Sequence, residues 1–216
     1  MKVFVVEGNI GSGKSTLLSQ IKSHCTDVIV IQEPVDKWDS VKDENNRSIF
    51  SHFYSDPEKF AFLFQMNILA SRIKTINDAC NTNPQGILIF ERSIMTDKHI
   101  FVPALRSTGT LTSIELQVFE SMYSNILQLM NFKVDGIIYL QCDPIIAHQR
   151  ITKRNRTGEE GMSIQYLETL HEQHEKWLLY EETTIPVSII NNNSNTLSTC
   201  VQTVRDFINL NNYDYF

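Results

Sequence analysis

The residues best suited to chemistry stand near the start of the chain. The segment Gly8–Ser15 reads Gly-Asn-Ile-Gly-Ser-Gly-Lys-Ser and matches G-x-x-x-x-G-K-[ST]. In such a loop the glycines let backbone N–H groups turn toward phosphate oxygens. Lys14 brings positive charge to the β and γ phosphates, and Ser15 offers a hydroxyl to Mg²⁺. A strand pattern before the loop and a helix pattern after it support a nucleoside triphosphate site, which kinases, GTPases and motor ATPases share.

Two further chemical groups follow predicted strands. Glu33-Pro34-Val35 ends the second strand and Glu91-Arg92-Ser93 ends the third, and ligands of open α/β sheets bind at the carboxyl ends of strands. Glu33 can accept a proton from an attacking hydroxyl, Glu91 can hold Mg²⁺ together with Ser15, and Arg92 can neutralise charge near both substrates. A phosphate cradle, a metal, a base and a cation are the parts that in-line phosphoryl transfer needs.

A third group is the cationic stretch of Arg150, Lys153, Arg154 and Arg156, the densest in an acidic chain. Its spacing alone is also typical of a solvated basic helix end. We favour a lid over about 150–161, whose guanidinium groups close over the transferring phosphates.

Strand-like and helix-like patterns alternate along the chain. This order predicts an α/β fold, a P-loop NTPase-type three-layer architecture with a central parallel sheet flanked by helices. The length favours a single domain over 1–216. The polar stretch Asp36–Ser51 is predicted as a long loop or lid, and Ser163–Tyr180 as one helix. The predicted strands are Val3–Val6, Val28–Gln32, Ile87–Phe90, Ile137–Leu140 and Val187–Ile190.

Composition excludes several classes of partner and site. The formal net charge of −6 argues against a nucleic-acid polymer, whose phosphates attract basic surfaces. The chain has no apolar run long enough for a membrane span and no signal-peptide layout at its start, so we expect a cytoplasmic protein with no membrane partner. The four cysteines are far apart, which indicates neither a zinc site nor a disulfide framework. The N-K-x-D base-reading motif of GTPases is missing.

Over most of its length the chain resembles the deoxyribonucleoside kinases, in particular their deoxycytidine/deoxyguanosine kinase-like branch. The motifs that carry the resemblance are spread along the chain in order. They are Glu7-Gly8-Asn9-Ile10 with the P-loop, Glu33-Pro34-Val35 with Trp38, Phe64-Gln65, Ser71-Arg72-Ile73, Phe90-Glu91-Arg92-Ser93, Asp97, Ile100-Phe101, the run from Asp135 to Gln141, the Arg150–Arg156 cluster, and Tyr166-Leu167-Glu168 before Leu170-His171.

The resemblance implies a deoxynucleoside 5′-kinase of nucleotide salvage that uses ATP and Mg²⁺ and acts as a homodimer. Glu33 would be the general base toward the 5′-hydroxyl, Arg92 would bind near that hydroxyl and the transferred phosphate, and Lys14 would complete the catalytic set. Ser15 and Glu91 would serve the metal. The ATP-binding residues would be Gly8, Asn9, Ile10, Gly11, Ser12, Gly13, Lys14, Ser15 and Thr16, with Arg150, Arg154 and Arg156.

The remaining implied roles concern the deoxynucleoside. Tyr54 and Glu168 would hold the sugar 3′-hydroxyl, and Gln65 would pair with the base edge, because its amide has a donor beside an acceptor. The side chains that would enclose the base are Trp38, Phe101 and Phe53.

Base preference depends on one helix. Gln65 and Arg72 are seven residues apart, so they share a helix face with Ile68 between them. A charged pair of Arg72 with Asp97 is the pattern of the cytidine and purine branch, so deoxycytidine, deoxyadenosine or deoxyguanosine is expected over thymidine. Ile68 replaces the small residue usual in the family and narrows the pocket.

Two other functions remain open from the sequence. One is a nucleoside monophosphate kinase of the thymidylate kinase type, which needs extra cations to grip an acceptor phosphate. The other is a nucleotide-dependent regulatory module without transfer chemistry, which predicts slow hydrolysis and no dependence on an acceptor.

Overall fold

The computed structural model describes residues 1–130, 132–156, 159 and 161–212. In this part of the chain, five parallel strands form one sheet in the order β2-β3-β1-β4-β5. The strands are β1 (Lys2–Glu7), β2 (Val28–Ile31), β3 (Ile87–Glu91), β4 (Gly136–Gln141) and β5 (Val187–Asn191). The predicted α/β fold with a central parallel sheet is confirmed.

Helices connect the strands and cover both faces of the sheet. They are α1 (Lys14–His24), α2 (Val35–Trp38), α3 (Ile49–Ser55), α4 (Pro57–Thr82), α5 (Ile94–Thr96), α6 (Val102–Ser107), α7 (Ser113–Leu129), α8 (Pro144–Arg154), α9 (Ile164–Glu175) and α10 (Leu197–Asn212), with π-helical turns at Asp97–Phe101 and Lys176–Tyr180. No helix within the described ranges is long and apolar enough to cross a membrane.

The apolar core lies on both faces of the sheet because β1 is apolar at every position from Val3 to Val6. Alternate side chains of a strand point to opposite faces. Val3 and Val5 therefore join the buried cluster that includes residues of α4, α7 and α9, while Phe4 and Val6 pack with residues of α1 and α10. Such doubly covered parallel strands need near-continuous apolar sequence.

Several helix boundaries follow from side-chain caps. Asp56 accepts a hydrogen bond from the Lys59 amide and is followed by Pro57 at the start of α4, as its sequence predicts. Thr112 and Glu115 form the predicted capping box of α7, in which each side chain bonds the backbone of the other.

Two segments have a secondary structure that differs from the one predicted from the sequence. The stretch Asp36–Ser51 is not one loop, because α2 runs to Trp38 and α3 begins at Ile49 behind the cap of Ser48. The predicted helix Ser163–Tyr180 divides into α9 and a π-helical turn. Periodicity alone does not separate α from π hydrogen bonding, since the same apolar residues suit both.

The sheet order brings three chain segments to one edge. β3 lies between β2 and β1, with Val6 opposite Glu91. The P-loop follows β1, Glu33 follows β2, and Arg92 follows β3. Their side chains therefore meet at the carboxyl ends of three adjacent strands.

Candidate active site

A cavity of about 620 Å³ opens at this edge of the sheet. It gathers most of the residues that the sequence predicted to act together. The predicted residues that line it are Ile10, Gly11, Gly13, Lys14, Ser15, Thr16, Glu33, Trp38, Phe53, Tyr54, Gln65, Ile68, Arg72, Glu91, Arg92, Phe101, Arg150, Arg154 and Arg156.

The P-loop has the backbone shape that its glycines allow. Gly13 has a φ of 95° and is the N-cap of α1, so the first amides of this helix are free to face a ligand. Gly11 has a φ of 77°, and a Cβ there would lie 2.5 Å from the Ala147 carbonyl oxygen of α8. Any side chain at this position would push the loop and α8 apart.

Three predicted loop residues, Gly8, Asn9 and Ser12, do not line the cavity. Asn9 and Ser12 support the loop through contacts with neighbouring elements. The Asn9 side chain donates to the Leu167 carbonyl at 2.8 Å and accepts from the Ile10 amide at 2.8 Å. The Ser12 carbonyl accepts from Asn192 Nδ2 at 2.6 Å and from Arg150 Nη1 at 3.3 Å. The loop is thus tied to α9 on one side and to α8 and the β5–α10 turn on the other.

Lys14 is folded back onto its own loop. Its Nζ donates to the Gly8 and Asn9 carbonyls at 3.0 and 2.8 Å. Burial lowers the pKa of Lys14 to about 7, an effect that Arg92 reinforces and nearby carboxylates oppose. A phosphate placed in the cradle would supply the missing negative charge.

The predicted magnesium ligands touch each other. Ser15 Oγ donates to Glu91 Oε1 at 2.7 Å. Mg²⁺ prefers oxygen ligands, usually one or two from protein with the rest from water and phosphate, so this pair fits it. Among the described residues there is no cluster of three or more His, Cys, Asp or Glu that could hold a metal without such help.

Glu33 is the carboxylate held between cations. Its Oε1 lies 2.6 Å from Arg72 Nη2 and 3.9 Å from Arg92 Nη1. Burial alone would raise the pKa of Glu33, but Arg92, Arg72 and Lys14 together outweigh burial and lower it. Glu33 is therefore ionised at neutral pH, the state in which it can accept a proton.

Arg72 also faces Asp97, which is fully buried. The Arg72 Nε to Asp97 Oδ2 distance is 3.1 Å, but neither carboxylate oxygen of Asp97 has a partner of hydrogen-bond geometry. Burial raises the pKa of Asp97 to about 6 against the pull of Arg72. The predicted charged pair exists as an ion pair behind the cavity, since Asp97 itself does not line it.

Arg92 has an uncommon backbone conformation. Its φ is 64°, in the left-handed region, which costs a non-glycine residue about 1–3 kcal/mol. The surrounding contacts hold it: its amide donates to the Val6 carbonyl at 3.0 Å, and its Nη2 donates to the Gly8 carbonyl at 3.2 Å. Its guanidinium also lies 4.7 Å from the ring centroid of Phe101. The turn thus directs the Arg92 guanidinium toward the P-loop.

An aromatic pocket occupies the other end of the cavity. Phe53 and Phe64 are stacked with ring centroids 4.7 Å apart, and Trp38 is fixed by a 2.8 Å hydrogen bond from its indole to Ser71. Gln65 Oε1 is buried and has no partner. A buried acceptor without a partner costs free energy, so a ligand that donates to it would be favoured.

The sugar-binding prediction for Glu168 does not agree with the structure. Glu168 is exposed on α9 and does not line the cavity, because the face of α9 turned inward carries Leu167, Leu170 and His174. Glu159 lies in the cavity wall instead, 7% exposed. Burial raises the pKa of Tyr54, and Tyr166 and Glu159 add to this rise. The carboxylate near Tyr54 is therefore that of Glu159.

Glu159 also meets the predicted lid arginines. Its carboxylate lies 2.5 Å from Arg154 Nη2 and 3.6 Å from Arg156 Nη1. Arg150 is held differently, by the Ser12 and Asn192 carbonyls. Of the predicted lid over about 150–161, residues 157, 158 and 160 lie outside the described residues.

Sequence reasoning missed several residues of the cavity wall: Glu159, Phe50, Tyr166 and Gln32. Glu159 had a signal, because it is a carboxylate three residues after Arg156 inside the predicted lid. Tyr166 belongs to the motif Tyr166-Leu167-Glu168, but the spacing of this motif gave no reason to prefer Tyr166 over Glu168 as a residue of the cavity wall. Gln32 directly precedes Glu33 and Phe50 lies three residues before Phe53, and neither has a pattern of its own.

Comparisons with known proteins find related sequences over most of the chain. The family model described as deoxynucleoside kinase matches residues 4–212. The probable deoxycytidine kinase of Fowlpox virus (strain NVSL) is 35% identical over 216 residues, which cover 96% of this chain and 88% of the relative. Human deoxycytidine kinase is 33% identical over 83% of this chain and 76% of its own length. Human mitochondrial thymidine kinase 2 is 35% identical over 82% of this chain and 64% of its own length.

Proposed function

This chain belongs to the deoxynucleoside kinase family and is a deoxynucleoside kinase, and within that activity we propose a specific reaction. The γ-phosphoryl group of ATP is transferred, with Mg²⁺ bound, to the 5′-hydroxyl of a deoxynucleoside, with deoxycytidine, deoxyadenosine or deoxyguanosine preferred over thymidine. Residues 1–216 act as a single kinase domain in nucleotide salvage.

The observation that carries the proposal is the position of Glu33. Its ionised carboxylate is in the wall of the same cavity as the P-loop, with Arg92 and Arg72 beside it. A 5′-hydroxyl between Glu33 and the cradle would have a proton acceptor on one side and the γ-phosphate on the other. Holding both reactants in this order supplies much of the rate enhancement of phosphoryl transfer.

The donor would be held by the P-loop and the lid. The amides of the loop and of the first turn of α1 bind phosphate oxygens, and Lys14 moves from the Gly8 and Asn9 carbonyls to the β and γ phosphates. Arg150, Arg154 and Arg156 add three guanidinium groups from the cavity wall. Guanidinium groups bind phosphates in pairs of hydrogen bonds.

Ser15 and Glu91 would hold the metal ion. Bound Mg²⁺ supplies charge neutralisation of the β and γ phosphate oxygens. The hydrogen bond between Ser15 and Glu91 keeps the two oxygens together and ready for this role. Arg92 then neutralises charge on the transferring group from the acceptor side.

The base would lie among Trp38, Phe53 and Phe101, with Gln65 at its edge. The unpartnered Gln65 Oε1 can accept a hydrogen bond from a donor on the base edge, such as the exocyclic amino group of cytosine or adenine. Ile68 lines the same pocket and is 4% exposed, so its side chain takes up space beside that edge. The smaller ring of deoxycytidine suits this pocket best.

The sugar would be held by Tyr54 and Glu159. Both line the cavity. A carboxylate and a phenol can each accept or share a hydrogen bond with a 3′-hydroxyl. This pair replaces the predicted pair of Tyr54 with Glu168.

The homodimer expected from the resemblance is also part of the proposal. Ile114, Val118, Met122 and Leu129 are exposed, and their helical spacing places them on one side of α7. An exposed apolar stripe of this kind suits a second copy of the same chain. Sedimentation of the purified protein at several concentrations tests it, and a monomer at all of them would contradict it.

A cytoplasmic location stays a prediction, because two relatives carry the word mitochondrial in their names. Fractionation of cells that express the chain would test it, and recovery with mitochondria would contradict it.

The reaction is tested by initial rates with ATP, Mg²⁺ and the four deoxynucleosides, each compared with its 5′-monophosphate. We expect product from the nucleosides, with deoxycytidine the most efficient and thymidine the least. Product only from monophosphates would support a nucleoside monophosphate kinase. Hydrolysis of ATP without dependence on any acceptor would support a regulatory module.

A further inference from the structure

Glu7 is a buried carboxylate that the mechanism above does not use. It is the last residue of β1, directly before the P-loop, and it is 0% exposed. By the register of β1 and β3, Val6 lies opposite Glu91, so Glu7 stands beside the turn at Arg92. A carboxylate without solvent needs protein donors to offset the loss of hydration.

The donors come from the segment that follows Arg92. Ser93 Oγ donates to Glu7 Oε1 at 3.1 Å. Thr96 Oγ1 lies 2.8 Å from Oε1 and 2.9 Å from Oε2 of the same carboxylate. These two hydroxyls are also the capping box of α5, where the Met95 amide donates to Ser93 Oγ and the Ser93 amide donates to Thr96 Oγ1.

The hydrogen-bond pattern needs an acceptor at residue 7. Each hydroxyl oxygen already accepts a backbone N–H, and each has a single proton left to donate. Glu7 Oε1 accepts from both hydroxyls. Burial raises the pKa of Glu7 to about 7, and the two hydroxyls and the charges of Arg92 and Arg72 oppose that rise. A glutamine would keep one oxygen for the hydroxyls, but it would place an NH₂ group where Oε2 lies 2.9 Å from Thr96 Oγ1, and it would remove the negative charge near Arg92.

The segment held in this way connects two residues of the acceptor site. Arg92 comes immediately before Ser93 and has the left-handed φ of 64°. Asp97 comes immediately after Thr96 and pairs with Arg72. Glu7 therefore lies behind a short turn. At one end of the turn Arg92 lies 3.9 Å from Glu33, and at the other end Asp97 pairs with Arg72, which contacts Glu33.

We propose that Glu7 is a positioning residue, which fixes the turn from Ser93 to Thr96 and thereby holds the Arg92 guanidinium at the transferring phosphoryl group. The inference rests on the proposed role of Arg92 in the reaction. It assigns Glu7 no contact with either substrate, so its loss should change the turnover number more than the binding of nucleoside or ATP.

The test is a double-mutant cycle on the full chain. Turnover and KM for both substrates are measured for the parent, Glu7→Gln, Arg92→Ala and the double variant, with the melting temperature of each. We expect Glu7→Gln to lower kcat about tenfold and to change either KM by less than about twofold. In the Arg92→Ala background the same substitution should lower kcat by less than about twofold, because the group that Glu7 positions is gone.

A second pair of variants addresses the network without altering Glu7. Thr96→Val has nearly the shape of threonine but no hydroxyl, whereas Thr96→Ser keeps the hydroxyl. We expect Thr96→Val to lower kcat severalfold and Thr96→Ser to remain within about twofold of the parent. This comparison also decides the matter if Glu7→Gln does not fold.

The outcomes separate this inference from the proposed function. If Arg92→Ala leaves kcat unchanged, the role of Arg92 in the reaction is wrong and the positioning of Glu7 falls with it. If Arg92→Ala is slow but Glu7→Gln lowers kcat equally in both backgrounds, only the role of Glu7 is overturned. Equal activity of Thr96→Val and Thr96→Ser would overturn it as well.

Discussion

The two ends of the cavity differ in the chemical groups that form them and in how far these groups are exposed to solvent. At the donor end the phosphate-binding groups are main-chain amides, the buried Lys14, Arg150, and the arginines Arg154 and Arg156, whose side chains are 37% and 43% exposed. At the acceptor end Arg72 and Glu33 are 4% and 12% exposed and already lie 2.6 Å apart. The acceptor end is thus organised before the substrate arrives, whereas the donor end must exchange partners when phosphate binds.

This difference has a chemical reason. Triphosphate carries its own charge and can displace Glu159 from the arginines and the loop carbonyls from Lys14. A neutral nucleoside has no such charge, so its site must hold the reacting carboxylate and the base-reading groups in place by contacts within the protein. Changes at the acceptor end should therefore affect rate and selectivity, and changes at the donor end mainly affinity.

The largest effect is expected from Glu33→Gln. This change removes the proton acceptor but keeps the shape of the side chain, so turnover should fall by at least about 10²-fold while ATP binding persists. Steady-state kinetics and ATP titration of the same preparation measure the two quantities. Unchanged turnover would remove Glu33 from the role of base.

The buried charge of the acceptor end should also appear in the pH dependence of stability. Burial raises the pKa of Asp97 from its ordinary value of 3.8 to about 6. Asp97 therefore contributes stability that is full below about pH 3.8 and is lost as the pH rises through 6. Relative to Asp97→Asn, the unfolding free energy of the parent should fall by up to about 3 kcal/mol over this window.

Denaturant unfolding at several pH values measures this trend. Asp78 is the matched control, because its side chain is 59% exposed on α4. Asp78→Asn is measured over the same pH range as the exposed comparison. A difference between the parent and Asp97→Asn that does not change with pH would contradict the destabilised, buried charge assigned to the acceptor end.

A smaller effect, of about tenfold, is expected on base selectivity from Arg72→Met. Because Arg72 also contacts Glu33, turnover should fall for every nucleoside, and the ratio of kcat/KM for deoxycytidine over thymidine isolates the base-reading role. We expect this ratio to fall by about tenfold, which means that the variant discriminates less against thymidine. Arg72→Lys keeps the charge and serves as the control. A ratio equal to that of the parent would refute base reading by this pair.

The smallest effects should come from Glu159→Gln, and they should have opposite signs for the two substrates. Loss of the carboxylate frees Arg154 and Arg156 and should tighten ATP binding by a few-fold, because less ion pairing must be exchanged. The same change should raise the KM for the nucleoside by a similar factor through the sugar. Glu168→Gln, on the exposed face of α9, is the comparison. An effect on the nucleoside KM in Glu168→Gln and not in Glu159→Gln would restore the prediction made from the motif.

The parts of the molecule that depend on local sequence could be predicted without a structure. The P-loop, the five strands and the capping box of Thr112 and Glu115 follow from glycine positions, apolar patterns and hydrogen bonds between residues three apart. The element boundaries within weakly patterned segments could not be predicted in this way. The helix start at Ile49 is marked only by the local cap of Ser48 inside a polar stretch, and the π-helical turn after Glu175 continues the apolar pattern of α9 without a signal for the change.

By itself, the sequence determined that a phosphate loop, strand-end carboxylates and an arginine cluster belong to one α/β sheet. Only the tertiary structure decided which carboxylate stands where: Glu159 rather than Glu168 lies near Tyr54, and Glu7 lies behind Arg92. The physical reason is that these neighbours are set by the strand order and by the rotation of α9 against the P-loop. A one-residue change of helical position turns a side chain by about 100°, which a linear motif does not record.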